Sequence, residues 1–209
     1  MPYRLLSPLP DTASPAQILA QEQHWLRDCA HDGQPRAHLW QAPQCLIVTR
    51  KDTRLPHYEA ACQQLAAEGW PVHVRDSGGT AVPHGAGILN LSLLLPRTTT
   101  DLAHYYRLLG APLLTLLAEY GLEGSYDFVP GSFCDGQYNL VIGGRKITGT
   151  AQRWLAPGQD HQGGELRFMA GTSITLTSCI DWRGSDQALV KKVRARLDSL
   201  LSEGLSPSS

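Results

Sequence analysis

The chain has 209 residues, 42% of them hydrophobic, and a formal net charge of −1. That length supports one domain with a sizeable core. The near balance of 18 basic and 19 acidic residues offers nothing to a nucleic-acid polyanion, and no uninterrupted apolar run approaches the ~20 residues of a membrane span. Cys29, Cys45, Cys62, Cys134 and Cys179 are odd in number, scattered and without zinc-ligand spacing. They are expected to be reduced thiols of a cytoplasmic protein. Met1-Pro2-Tyr3-Arg4-Leu5-Leu6 lacks the apolar core of a signal peptide. One domain is expected over residues 1–205, with a disordered tail at 206–209.

In chain order, Ser14-Pro15 opens a helix that runs to about Ala30, with Ile18, Leu19, Trp25, Leu26 and Cys29 near one stripe. Two short strands follow, around Ala37–Trp40 and Cys45–Thr49. Pro56 starts a helix that Gly69 stops, and Val72–Val74 is a strand. From Ile88 to Leu95 the pattern alternates, with Leu89, Leu91, Leu93 and Leu95 on one side and Asn90 and Ser92 on the other. Asp101–Tyr120 is the longest central helix. Tyr138–Ile142 and Arg145–Gln152 form a hairpin around Gly143-Gly144. Gly171–Ile180 reads as a further strand, and Gly184-Ser185-Asp186 caps a last amphipathic helix to about Ser202. Strands interleave with helices and pair as antiparallel hairpins. That predicts an α+β fold, a mixed or antiparallel β-sheet with helices packed on one side.

Two segments carry the chemistry. In Arg75-Asp76-Ser77-Gly78-Gly79-Thr80-Ala81-Val82-Pro83-His84-Gly85, the paired glycines let the backbone approach a ligand or bend sharply. Backbone N–H groups there could cradle a carboxylate, phosphate or thioester oxygen, and Arg75 adds a fixed positive charge. A tight turn between strands is the plain alternative. His84 is open as a base, a ligand or a structural loop residue. In the hairpin, strict alternation puts Lys146, Thr148, Thr150 and Gln152 on one face and Gly149 and Ala151 on the other. That is either a polar site or a solvated face.

Cys134 sits in a turn-rich loop between Pro130-Gly131 and Asp135-Gly136. A thiolate is a nucleophile, and an ammonium nearby raises its fraction. Pairing across Gly143-Gly144 sets Lys146 opposite Val141, seven residues beyond Cys134, a gap of over ~20 Å if extended. Only a fold-back of the loop brings the two together. The other four cysteines read as buried and inert.

These residues resemble a known family. Arg75–Pro83 with Gly87-Ile88-Leu89-Asn90-Leu91-Ser92-Leu93 resembles the arginine–serine–glycine–glycine segment of the biotin/lipoate protein ligase and octanoyltransferase superfamily. Gly144-Arg145-Lys146-Ile147-Thr148-Gly149-Thr150-Ala151-Gln152-Arg153 resembles its lysine motif. Gly131-Ser132-Phe133-Cys134-Asp135-Gly136-Gln137-Tyr138-Asn139-Leu140 is most similar to the lipoyl/octanoyl amidotransferase branch, although Asn139 stands where many of its members carry aspartate. The likeness spans roughly residues 15–180.

The resemblance implies a lipoate-ligase-like domain that moves an octanoyl or lipoyl group onto the acceptor lysine of lipoyl domains. Cys134 would hold the group as a thioester and Lys146 would contact its carbonyl oxygen. Arg75, Ser77, Gly78, Gly79, His84, Asn90, Thr148, Gly149 and Thr150 would line the substrate site. The implied partners are lipoyl domains of 2-oxoacid dehydrogenase subunits and the glycine-cleavage H protein, with acyl carrier protein a further candidate donor. No cofactor is required on this reading. The alternative is an ATP-dependent lipoate–protein ligase working through an acyl-adenylate with Mg2+, with Cys134 a bystander. A third reading is a non-catalytic lipoate- or partner-binding protein. No metal site is expected.

Overall fold

The computed structural model of the chain describes residues 2–10, 13–133, 135–155, 163–170 and 186–203. The first long element is α1 (Pro15–Asp32), opened by a reciprocal cap in which Ser14 Oγ accepts from the Gln17 amide and the Gln17 side chain accepts from the Ser14 amide. Gly33, at φ 68°, ends it in the left-handed conformation that glycine tolerates best. The remaining helices are α2 (Tyr58–Ala67), α3 (Leu102–Glu119) and α4 (Asp186–Glu203). Asp101 caps α3 by accepting from the Ala103 amide.

Ten strands form two sheets among the described residues. They are β1 (Arg4–Leu5), β2 (Arg36–Trp40), β3 (Cys45–Thr49), β4 (Val72–Arg75), β5 (Val82–His84), β6 (Asn90–Pro96), β7 (Ser125–Asp127), β8 (Asn139–Ile142), β9 (Arg145–Trp154) and β10 (Gly163–Ala170). The large sheet has the order β1-β2-β6-β10-β9-β8-β7 and the small one β4-β3-β5. In the large sheet only the β1–β2 pair is parallel; in the small sheet β3 pairs parallel with β4 and antiparallel with β5. The expected α+β class is the observed one. The strand expected over Gly171–Ile180 lies outside the described residues.

Both faces of the large sheet are covered, not one as the strand pattern suggested. Leu91, Leu93 and Leu95 of β6 pack with Leu109, Leu113, Leu116 and Leu117 of α3 and Leu197, Leu200 and Leu201 of α4. Leu94, in the opposite phase, meets Leu26 and Cys29 of α1. Each such leucine is worth roughly 1.5–3 kcal/mol of burial. On the α1 side a third cluster joins Ile18 and Leu19 to Trp40, Cys45 and Ile47, so α1 and the small sheet pack together there. Asn90 and Ser92 of β6 lie on this second face, toward the small sheet.

Candidate active site around Lys146

Gly143 and Gly144, at φ 54° and 72°, make the tight turn between β8 and β9. The first pairs beyond it are Ile142 with Arg145 and Val141 with Lys146, but the next is Leu140 with Thr148. Ile147 is therefore the extra residue of a β-bulge, and the bulge resets the alternation. Ile147 and Leu140 enter the core beneath α3. Farther along β9 the Gln152 amide donates to the Leu102 carbonyl of α3 at 2.9 Å, while Arg153 turns the other way to Asp76 at 2.9 Å. The shared polar face expected for Lys146, Thr148, Thr150 and Gln152 is thus divided. Thr148, Thr150 and Gln152 follow the phase of the α3 side, and Lys146 stands with Gly149, Ala151 and Arg153 on the face toward α1.

Lys146 is fully buried. Its side chain lies across Gly149: a β-carbon there would sit 3.4 Å from both Cε and Nζ. Nζ donates to the Phe133 carbonyl and reaches Ser132 Oγ at 3.4 Å. The loop before β8 folds back over β9 at Ser132 and Phe133. Asp135 holds the fold, its Oδ1 accepting from the Val129 amide and from Asn139 Nδ2, each at 3.0 Å. Tyr138 anchors the loop's end, stacked on Tyr106 of α3 at 4.5 Å with its carbonyl accepting from Thr150 Oγ1. Cys134 itself lies outside the described residues, so the expected approach of its thiol to Lys146 is not described. Its chain neighbour Phe133 meets the ammonium through its carbonyl.

The glycine segment sits above the same face. Arg75 is buried, and its guanidinium donates to the carbonyls of Ile47, Gly78 and Thr80 at 3.3, 3.1 and 2.8 Å. It closes the loop on itself. Gly79, at φ 106°, supplies a backbone angle few other residues adopt. Asp76 ties the loop outward to Arg50 and to Arg153 of β9, and Arg153 also reaches Gln23 of α1. Ser77, between these anchors, is buried, and its hydroxyl has no hydrogen-bond partner among the described residues.

His84 and Asn90 belong to one buried network. The His84 ring nitrogens face the Val82 carbonyl and Asn90 Oδ1, each at 3.2 Å, and the ring stacks on Trp40 at 5.9 Å. Asn90 Nδ2 donates to the Trp40 carbonyl, and Trp40 Nε1 to Ser92 Oγ. With an oxygen at each ring nitrogen, His84 joins the small sheet to the large one instead of presenting a free base. One polar pair escaped the sequence reading: Glu22 and His38, both fully buried, with Oε1 and Nδ1 3.0 Å apart and His38 Nε2 without a hydrogen-bond partner among the described residues. The signal was there, since Glu22 lies four residues from both Ile18 and Leu26, inside the apolar stripe of α1.

Cys29 and Cys45 are buried as expected, whereas Cys62 is only partly buried. Burial pushes Cys29 and Cys45 up to about 11, which leaves them protonated and inert at neutral pH. Among the described residues no three His, Cys, Asp or Glu side chains gather into a metal-holding group, and no helix is long and apolar enough to cross a membrane.

A buried ammonium over a glycine, faced by a pinned loop and a glycine turn, suits the binding of an acyl carbonyl whose oxygen gains charge during transfer. The two-sheet fold defines an α+β domain with this buried ammonium beside the fold-back loop. The chain belongs to the lipoyl protein ligase A/B catalytic domain family, whose model matches residues 14–202. It is 39% identical over 150 residues to an octanoyl-GcvH:protein N-octanoyltransferase of Kyrpidia tusciae, an alignment covering 69% of this chain and 52% of that one. The chain spans about half the length of the curated relatives it matches. Its fold matches protein Ta0514 of T. acidophilum with bound lipoic acid (TM-score 0.75, 17% identity, 97% of this chain and 86% of that). It also matches a bipartite lipoate protein ligase from Thermoplasma acidophilum, studied with its E2 lipoyl domain (TM-score 0.71, 17% identity, 97% and 83%).

Proposed function

We propose that the chain is an acyltransferase that moves an octanoyl or lipoyl group onto the acceptor lysine of a lipoyl domain through a thioester on Cys134. The observation that carries this reading is the seating of the Lys146 ammonium against the Phe133 carbonyl and Ser132 hydroxyl, one and two residues from that thiol in the chain. The activity for which the Kyrpidia tusciae relative is named supports the octanoyl group and the glycine-cleavage H protein as donor.

In the first half-reaction the thiolate attacks the acyl carbonyl of the donor amide. The C–S bond forms, the C–N bond breaks, and the departing lysine nitrogen takes up a proton. In the second, the neutral amine of the acceptor lysine attacks the thioester. The C–N bond forms, the thiolate leaves with the electron pair, and the nitrogen gives up a proton. Lys146 faces the carbonyl oxygen in both, where its charge stabilises the developing oxyanion without leaving its place. Ser77, Gly78, Gly79 and Asn90 bound the acyl group on the side of the small sheet, and each methylene taken from water adds roughly 0.8 kcal/mol to its binding. The acyl group is itself the substrate, and the thioester route needs no further cofactor; an adenylate route would need ATP and Mg2+.

The test is transfer of octanoyl from an octanoylated H-protein-type domain to an apo lipoyl domain of a 2-oxoacid dehydrogenase, with and without ATP. Transfer independent of ATP is expected. Modification of the acceptor only from free acid plus ATP would assign the chain to the ligases.

A further inference from the structure

Asn139 opens β8 and is completely buried, yet its carboxamide is used on one side only. Nδ2 donates to Asp135 Oδ1 at 3.0 Å, and the same oxygen accepts from the Val129 amide. An ionised carboxylate accepts hydrogen bonds and cannot donate them, so Asp135 dictates which end of the amide it faces. Oδ1 is thereby held pointing away from Asp135, and among the described residues it has no hydrogen-bond partner. A buried acceptor left in that condition carries a desolvation penalty, and native folds keep such groups where something else completes them.

The strand register says what lies beside it. Leu140 pairs with Thr148, and Leu140 enters the core under α3. Asn139 and Val141 therefore face the other way, the way Lys146 faces. Beyond the Leu140–Thr148 pair the next residues along the two strands are Asn139 and Gly149, and Gly149 is the one over which Lys146 Cε and Nζ lie. The Lys146 ammonium and the Asn139 oxygen, both buried, thus belong to one face of neighbouring strands. An acyl carbonyl would take the first through its oxygen. The second suits an N–H on the nitrogen bonded to the acyl carbon.

We propose that Asn139 is a catalytic residue whose Oδ1 accepts the N–H of the substrate lysine nitrogen as its bond to the acyl carbon forms or breaks. The inference rests on the transfer reading above and deepens it. A carboxamide is not a base, so Asn139 takes no proton. The amine loses one proton on attack and keeps the other as the amide N–H, and Oδ1 holds the one that stays. The lone pair is thereby aimed at the carbonyl carbon, an orientation effect confined to nitrogen nucleophiles and nitrogen leaving groups.

The test uses the full chain loaded with octanoyl and presented with two nucleophiles, the lysine of an apo lipoyl domain and dithiothreitol, whose thiols carry no N–H. Asn139→Ala and Asn139→Ser are compared with wild type. The serine hydroxyl retains a donor for Asp135, so that variant keeps the loop closed. Both are expected to slow transfer to lysine at least tenfold while thiolysis by dithiothreitol stays within twofold. Asp135→Ala, which loosens the loop but keeps Oδ1, is expected to slow both nucleophiles alike. Equal effects of the Asn139 variants on the two nucleophiles, no effect on either, or the same selectivity in Asp135→Ala would overturn the role of Asn139 and leave the transfer reading standing. A wild type that never loads octanoyl would overturn the transfer reading and this inference with it.

Discussion

The side chain of Lys146 lies across Gly149, with Cε and Nζ each 3.4 Å from where a β-carbon would stand. The contact exists because the bulge at Ile147 brings residues three apart in sequence onto one face. A methyl group fits there in ordinary contact, and a branched side chain does not. Gly149→Ala should keep most activity. Gly149→Val should displace the ammonium and cost about 10²–10³ in turnover, the range for losing one oxyanion-stabilising group. Steady-state transfer rates of the two variants decide it, and an active Gly149→Val would separate Lys146 from the carbonyl.

Lys146→Met keeps the length of the stem and removes a buried charge. The desolvation cost of that ammonium disappears with it, so the variant should melt within about 2 °C of wild type or higher, 1 kcal/mol being worth roughly 2–4 °C at this chain length. Acyl transfer should fall by about 10²–10³. Calorimetry and a transfer assay on one preparation test both halves. A clear drop in melting temperature with activity retained would make Lys146 a structural residue.

Gly110→Ala in α3 should destabilise the fold, although alanine is the better helix former by about 1 kcal/mol. A β-carbon at that position would stand 1.9 Å from the Tyr126 hydroxyl oxygen and 2.7 Å from Cζ. Tyr126 packs edge-on to Tyr138 at 6.1 Å and so helps hold the end of the loop that faces Lys146. The expected loss is about 1–3 kcal/mol, as for an overpacked core, measured by urea denaturation. Wild-type stability would show that Tyr126 moves freely.

The elements that could be read from sequence were those with local signals. Ser14-Pro15 and Gly143-Gly144 act through backbone angles and caps within a few residues, and the start of α1 and the β8–β9 turn fall where those signals put them. The face of Lys146 could not be read, because a bulge one residue long reverses every side chain after it and leaves no mark in composition. The loop's fold-back depends on Asp135 meeting Asn139 and on Phe133 meeting Lys146, contacts that an alternation pattern does not contain. Arg75 had the right residue type for binding an anion, but its carbonyl partners in Ile47, Gly78 and Thr80 are set by how β3 and the glycine turn pack.

The central claim is a covalent octanoyl group on Cys134, and intact-mass spectrometry tests it most directly. The full chain is incubated with an octanoylated H-protein-type domain in the absence of ATP, alongside Cys134→Ser. The account predicts one octanoyl adduct on the wild type, released by hydroxylamine as a thioester is and absent from the serine variant, whose hydroxyl is far less ionised than a thiol. No adduct on the wild type, together with ATP-dependent lipoylation of an acceptor by Cys134→Ser, would contradict it.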